Sequence, residues 1–507
     1  MWWQHAVVYQ IYPRSFADAD GDGIGDLQGI EAKLEHLAWL GVDALWLSPI
    51  YQSPMADFGY DVSDHCDIDP VFGTLADADS LIGAAHRAGI KVLLDFVPNH
   101  TSDQHPWFRD HPDRFVWRDG LGPDGAEPPN NWVRAFPFPP SLPAWTRDPA
   151  TGRWYLHLFL PAQPDLDWSN PATVEGMHDV LRFWLDRGVD GFRMDVVHCI
   201  GKDPAMADDA AAVEGIPHCV LHDQPDHTVP LLRGMRALLD SYPGDRPAVG
   251  EIVLVGEHVT DRTATYSGPD RLHLVFDFSA LLRPWGDAGR WRAGIAEVEA
   301  AFDAGRGRWP TWALGNHDQR RLRTRWGGSE TVARAAAVLQ LGLRGTPFLY
   351  AGDELGLEDA VVPAEHRVDP GGRDGCRAPI PWAAGDGHGW GHEPWLPFAP
   401  EAGVRSVESL RGDPTSILWL YKRLLAARRA SPALRAGSLT LVDVGDGVVA
   451  WDRVHDGDLR RVLVSMSQEA VAIEGPWVVD VASDGPAGEG EPAAVLQPGQ
   501  ALWLRPA

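Results

Sequence analysis

Five short segments of the chain end apolar runs with polar residues of kinds that act on substrates. DFVPNH supplies Asp95, Asn99 and His100, GFRMD supplies Arg193 and Asp195, and VGEIV supplies Glu251. GNHD supplies Asn316, His317 and Asp318, and MADFGYD supplies Asp57 and Tyr60. One such cluster alone could be a turn or loop cap. Several carboxylates brought together out of water cost several kcal/mol each unless they are paired, so five converging clusters imply chemistry. The sequence has no Ser or Cys beside a His in an elbow motif, no GxGxxG after the first apolar run and no P-loop. Asp and Glu converging with Arg and His, without a dense set of metal ligands, suit cleavage of a glycosidic bond. One carboxylate attacks or stabilises the oxocarbenium-like centre, and one protonated carboxyl supplies the leaving-group proton.

The elements that must position these residues alternate along the chain. AVVYQIYP, VDALWLSP, KVLLDFVPN, GVDGFRMD, PAVGEIV, RLHLVFDF, TWALGNHD and TPFLYAGDE read as strands, apolar on both faces as buried parallel strands are. Leu27, Ile30, Leu34 and Leu37 keep a helical period before the second, and Met177, Val180, Leu181, Trp184 and Leu185 before the fourth. Eight strand-plus-helix units predict an α/β fold, a (β/α)8 TIM barrel whose C-terminal strand ends meet on one face. Residues 1–102 would open this barrel and 171–432 complete it, with the Gly-, Pro- and Trp-rich stretch 355–413 looped over the mouth. Residues 103–170, rich in Pro and Trp, are too long for a structureless loop and predict a small inserted domain after the third strand. Residues 433–507 alternate in short segments around a GDG turn, which predicts a C-terminal all-β sandwich domain.

Composition sets outer limits. A chain of 507 residues exceeds a single core, and a formal net charge of −27 repels polyphosphate, which excludes nucleic acid as a partner. Cys66, Cys199, Cys219 and Cys376 form no CxxC pair and read as reduced, buried thiols. The start MWWQHAVVYQIYPRSF has no signal-peptide pattern, and no apolar run reaches the roughly 18 residues of a membrane span. The expectation is a cytoplasmic protein, off the membrane and monomeric. His218, His222 and His227 lack zinc-ligand spacing and read as a polar loop. His198 reads either as a contact to a second sugar or as a histidine packed at a strand end. From Asp18 to Asp26 carboxylates alternate with small residues (Asp18, Asp20, Asp22, Asp26) as in an oxygen-ligand metal loop. The twelfth position is Gly29 rather than Glu, so this is not a full EF-hand.

With DFVPNH, GFRMD, Glu251, GNHD and the segment QPDLDW (Gln163 to Trp168) in this order, the chain resembles glycoside hydrolase family 13, the α-amylase family. The resemblance is to its α-glucosidase and oligo-1,6-glucosidase branch. It implies a retaining, exo-acting α-glucosidase on small α-glucosides, with Asp195 as nucleophile, Glu251 as general acid/base and Asp318 as the third carboxylate. The nucleophile and acid are then expected about 5–5.5 Å apart. Arg193 would hold the nucleophile ionised by lowering its pKa. His100 and His317 would bond the bound glucose, Asp57 and Arg377 would grip its far hydroxyls, Tyr60 would be the stacking platform and Phe159 an apolar wall. The metal loop would hold structural Ca2+ or Mg2+ through Asp18, Asp20, Asp22, Asp26 and the carbonyl of Ile24; no organic cofactor is implied. Val196 after the nucleophile resembles α-1,6-accepting members, whereas 199–230 resembles enzymes of short α-1,4 substrates. Maltose-like α-1,4 substrates are the expectation, with an α-glucosyl transferase or sucrose/maltose isomerase as the alternative, because all share the glucosyl-enzyme.

Overall fold

The computed structural model describes every residue except 136–141, 209–222 and 255, so His218, Cys219 and His222 lie outside the described residues. The eight predicted strands are β1 (Val8–Ile11), β2 (Ala44–Leu47), β3 (Lys91–Phe96), β4 (Gly191–Met194), β5 (Ala248–Glu251), β6 (Leu274–Phe276), β7 (Thr311–Ala313) and β8 (Thr346–Tyr350). They pair in parallel in the order β6-β5-β4-β3-β2-β1-β8-β7. The Thr311 hydroxyl on β7 donates to the Val275 carbonyl on β6 at 2.8 Å, which draws the two ends of the sheet together into a barrel.

Strand alternation sorts side chains into two layers. Val8, Ala44, Trp46, Leu93, Val249, Phe276 and Phe348 fill the barrel interior. Their neighbours Tyr9, Leu45, Leu47, Val92 and Leu94 point outward into the larger core under the helices. That outer layer receives Leu27, Ile30, Leu34 and Leu37, and the buried stripe Met177, Val180, Leu181, Trp184 and Leu185 of the helix Pro171–Asp186. This helix starts where Asn170 caps it by accepting from the Ala172 N–H, with proline at the first turn.

Between β3 and that helix, the strands Trp117–Arg118, Trp145–Arg147 and Trp154–Leu156 form a small antiparallel sheet. The bridge His100↔Asp165 and the bond from the Leu166 N–H to the Asn99 carbonyl stitch this segment to the end of β3, and Phe115↔Leu166 closes it on itself. The stretch after β8 is anchored over the first strand's loop: the Ile380 N–H donates to the Ser15 carbonyl, the Trp382 indole to the Phe16 carbonyl and the Trp395 N–H to the Gly23 carbonyl.

The C-terminal sheet contains β9 (Ser438–Leu441), β10 (Val448–His455), β11 (Asp458–Ser465), β12 (Trp477–Ala482) and β13 (Ala501–Pro506), antiparallel in the order β9-β10-β11-β13-β12. Val448, Ala450, Leu463 and Leu502 pack on the second, two-stranded sheet formed by Val471–Ala472 and Val495–Leu496, giving the sandwich. Its other face lies on the helix Glu330–Gly342, where the Trp451 and Trp503 indoles donate to the carbonyls of Gly342 and Val338. A Cβ at Gly342 would sit 2.9 Å from the Trp503 indole nitrogen, so the approach requires glycine there. Cys66 and Cys376 are free thiols, and no helix among the described residues is long and apolar enough to cross a membrane.

Candidate active site

The polar clusters converge at the C-terminal ends of the barrel strands, around one guanidinium. Arg193, on β4 and fully buried, donates to Asp95 at the end of β3 (2.8 Å), to Asp195 (2.6 Å) and to Glu251 at the end of β5 (2.5 Å). Its plane is braced by the Trp46 and Tyr60 rings, 5.1 and 5.7 Å from its centre. One cation thus serves three buried carboxylates. Burial pushes the Asp195 carboxyl up; Arg193 opposes this, but Glu251 and Asp95 add to it. The expected lowering by Arg193 is present but outweighed, first by burial and then by the neighbouring carboxylates. Burial likewise raises Asp95, to about 6.

Backbone strain marks the same spot. Val196, directly after Asp195, has φ 32° and ψ 40°, a left-handed conformation that a β-branched residue rarely adopts. That turn aims its N–H at the Glu251 carboxylate, 3.2 Å away.

Asp318 sits opposite, less buried than the other two carboxylates. The Asn316 amide oxygen accepts from the Asp318 and Gln319 N–H groups and shapes the turn that presents it. Burial alone would raise Asp318, but His317, Arg373 and Arg377 together hold it below the usual carboxylate range. His317 lies against it at 3.3 Å and stacks between the Tyr60 and Tyr12 rings. The Gln10 amide meets its Nδ1 at 2.7 Å and the Tyr60 hydroxyl its Nε2 at 2.7 Å. With the amide nitrogen donating, the ring proton lies on Nε2, facing the site. Burial lowers His317 and His100 to about 3, so both rings are neutral donors and acceptors at ordinary pH.

Asp57 is displayed by a loop built on Asp61, whose carboxylate accepts from the N–H groups of Ala56 and Asp57 and from the Ser53 hydroxyl. Its cationic partner is Arg373, at 2.6 Å, and not Arg377. Arg373 also donates to Asp318 at 2.9 Å and to Asp369 at 2.7 Å. Arg377 is completely buried behind it, bonded to the His317 carbonyl and paired with Asp318 and Asp369. A guanidinium without exposed surface positions neighbours, whereas Arg373 keeps some of its side chain open to the mouth. Gln163, from the inserted segment, spans Asp57 and His100 at 3.2 Å each. Phe159 packs beside His100, ring centres 5.1 Å apart. Tyr60 is buried, its hydroxyl donating to Asp95 at 3.1 Å.

Lys202 fixes the inserted segment to the barrel: its ammonium lies 2.9 Å from Asp165 and donates to the Asn99 amide oxygen (2.7 Å) and the Cys199 carbonyl (2.8 Å). His198 is buried, with burial lowering it to about 4, and its Nε2 lies 3.3 Å from the Cys199 sulfur. Gln10, Arg373 and Lys202 were not found from the sequence. Arg373 had a signal, four residues ahead of Arg377 in GGRDGCR; Lys202 had none.

In the Asp18–Asp26 loop, carboxylate oxygens of Asp18, Asp20 and Asp22 lie within 4.8 Å of one another. Asp26 is turned away from that group, accepting from the Gly29 N–H at 2.6 Å as a helix cap and from the Ala19 N–H at 2.8 Å.

Comparison with known proteins places the chain in one family. Residues 10–437 match the family described as Alpha amylase, catalytic domain. A "Probable alpha-glucosidase" of Rhizobium meliloti (strain 1021) is 40% identical, the match covering 94% of this chain and 91% of the relative. The "Oligo-1,6-glucosidase" of Parageobacillus thermoglucosidasius is 36% identical over 92% of this chain and 91% of its own. Among solved structures, the alpha-glucosyl transfer enzyme XgtA superposes with a TM-score of 0.91 at 37% identity, covering 100% of this chain and 99% of that one. The trehalulose synthase MutB from Pseudomonas mesoacidophila MX-45 superposes with a TM-score of 0.89 at 31% identity, over 100% and 99% of the two chains.

Proposed function

Because the chain belongs to the α-amylase family, in its α-glucosidase branch, and is a glycoside hydrolase, we propose that it releases α-glucose from the non-reducing ends of short α-glucosides with retention. The observation that carries this is the single guanidinium of Arg193 joining Asp195 and Glu251, with Asp318 across the mouth. Asp195 attacks the anomeric carbon while Glu251 protonates the departing oxygen, and a covalent glucosyl-enzyme forms. Glu251, now deprotonated, activates water, which breaks the ester and returns the proton. A separation near 5–5.5 Å between the two carboxyls belongs to this reading.

Asp57 and Arg373, paired at 2.6 Å, supply the closed end of the pocket. They take the far hydroxyls of the terminal glucose, which makes the enzyme exo-acting; Arg377 supports Asp318 and Asp369 from behind. Asp318, held ionised, and neutral His317 and His100 bond the hydroxyls nearer the cleaved bond. Maltose-like α-1,4 substrates are favoured over α-1,6. A small-sugar enzyme working as a monomer in the cytoplasm fits the free thiols of Cys66 and Cys376. The clustered oxygens of Asp18, Asp20 and Asp22 suit a hard cation, so Ca2+ or Mg2+ is assigned there with the Ile24 carbonyl as a further ligand, while Asp26 caps the following helix. Its role is to stiffen the loop that carries Gly23 and Gly25.

A second reading, α-glucosyl transfer or sucrose/maltose isomerisation through the same intermediate, is supported by the likeness to XgtA and to MutB. Product analysis on maltose, isomaltose, trehalose and sucrose decides between them. Glucose at hydrolytic stoichiometry from one linkage supports the glucosidase. New oligosaccharides with glucose lagging behind substrate loss support transfer, and no turnover of any of the four refutes both.

A further inference from the structure

At the opposite, N-terminal face of the barrel lies a cavity of about 380 Å3, remote from Asp195. Its wall comes from the helix Trp2–His5, the turns entering β2 and β3, and the helices Ile417–Ala430 and Pro432–Ala436. Lys91, Arg428, Arg429 and Arg435 line it with His5, against one acidic side chain, Asp43. In a chain of net charge −27 such a concentration of cations is not a by-product of composition.

Two of the cations are already matched: Lys91 pairs with Asp190 at 2.9 Å and Arg429 with Asp43 at 2.8 Å. The other two are not. Arg435 has no carboxylate partner among the described residues, and its guanidinium is half-buried. Arg428 is fully buried and held only by carbonyls, those of Leu341, Leu434 and Gly345 at 2.7–2.8 Å, while its Nε–H has no acceptor. The His5 Nδ1 is likewise buried without a partner. Behind them Arg453, also buried, is held by the carbonyls of Gly342 and Gly437. Desolvated positive charge balanced by carbonyl dipoles alone leaves a positive potential, concentrated by the low-dielectric wall.

We propose that this cavity is a binding site for a small phosphate monoester, distinct from the glucose pocket. Guanidinium forks match phosphate oxygens: Arg435 offers its fork directly, while Arg428, its terminal nitrogens taken up by carbonyls, adds positive charge from behind. The volume falls within the roughly 300–1,000 Å3 of small-molecule sites, and Trp2, Ala6 and Leu425 offer an apolar wall to the ester's carbon portion. Occupancy would clamp the start of the chain to the helices that lead into the C-terminal domain, so it would stabilise that junction and leave catalysis unchanged.

The test is calorimetric titration of the whole protein with glycerol 3-phosphate, inorganic phosphate, glycerol and chloride at matched ionic strength. Saturable one-to-one binding of glycerol 3-phosphate, tighter than inorganic phosphate and weakened tenfold or more in Arg435→Gln, is expected, with maltose turnover unaltered. Equal affinity for the two phosphates would keep the site but remove the apolar wall from it. Should Arg435→Gln not fold, Arg429→Gln, on an exposed arginine, serves the same comparison. Binding that is absent, matched by chloride, or unmoved by either substitution overturns the proposal.

Discussion

Replacing Lys202 with Met should loosen the inserted segment from the barrel while sparing the carboxylate cluster. The ammonium is the only cation within ion-pair distance of Asp165 among the described residues, at 2.9 Å, and Asp165 has no exposed surface. Burial already raises Asp165, and Lys202 opposes it. Removing one partner of a buried pair costs roughly 3–5 kcal/mol, because the other charge stays desolvated. The Asn99 amide oxygen and the Cys199 carbonyl lose their donor at the same time. Since His100 follows Asn99, and Gln163 lies two residues before Asp165, the loss should also raise KM for maltose more than it lowers kcat. The assay is urea unfolding of the parent, Lys202→Met, Asp165→Asn and the double variant, with hydrogen exchange followed over 100–170. If the uncompensated carboxylate carries the cost, the double variant recovers most of what Lys202→Met loses, as removal of both charges does in other buried pairs. A single variant within about 1 kcal/mol of the parent, below the typical cost of an unpaired buried charge, would refute this account. So would a double variant no more stable than the single one.

Four further outcomes are expected. Asp195→Asn should drop turnover by several orders of magnitude with an unchanged fold by circular dichroism; near-normal turnover removes Asp195 as nucleophile. Glu251→Gln should impair maltose far more than aryl glucosides with activated leaving groups, since only the former need the proton, and equal losses would contradict the acid role. Arg373→Leu should weaken the hold on terminal glucose and, by removing a cation that keeps Asp318 low, move the acidic limb of the pH–activity profile upward. That direction follows because Asp318 must be ionised, and it stays so to lower pH only while its cations are present; an unmoved limb would assign the limb elsewhere. Ca2+ or Mg2+ should raise the thermal midpoint of the metal-stripped protein, and Asp20→Ala should abolish that gain; a midpoint indifferent to both ions would leave the loop without a metal.

The barrel and the convergence of Asp57, His100, Asp195, Glu251 and Asp318 were legible because strand ends are written locally, as an apolar run followed by a polar cluster. The partner of Asp57 was not. Arg373 and Arg377 lie four residues apart within a loop, and which guanidinium faces Asp57 depends on the tight turn Asp374–Arg377 and on Asp369, which pairs with both. Nothing in the residue types separates them. The full surroundings of Arg193 were hidden for a related reason. Arg193 beside Asp195 in sequence suggests a private ion pair, but the barrel also carries Asp95 and Glu251 to the same guanidinium. Arg193 still lowers Asp195 as expected, but burial first, and then Glu251 and Asp95, push the carboxyl up by more. On the proposed mechanism, a positive oxocarbenium centre forming beside Asp195 and Glu251 would meet the negative potential of carboxylates that share one cation. That attraction would grow with the charge and so favour the transition state over the neutral sugar, which is the differential that lowers a barrier.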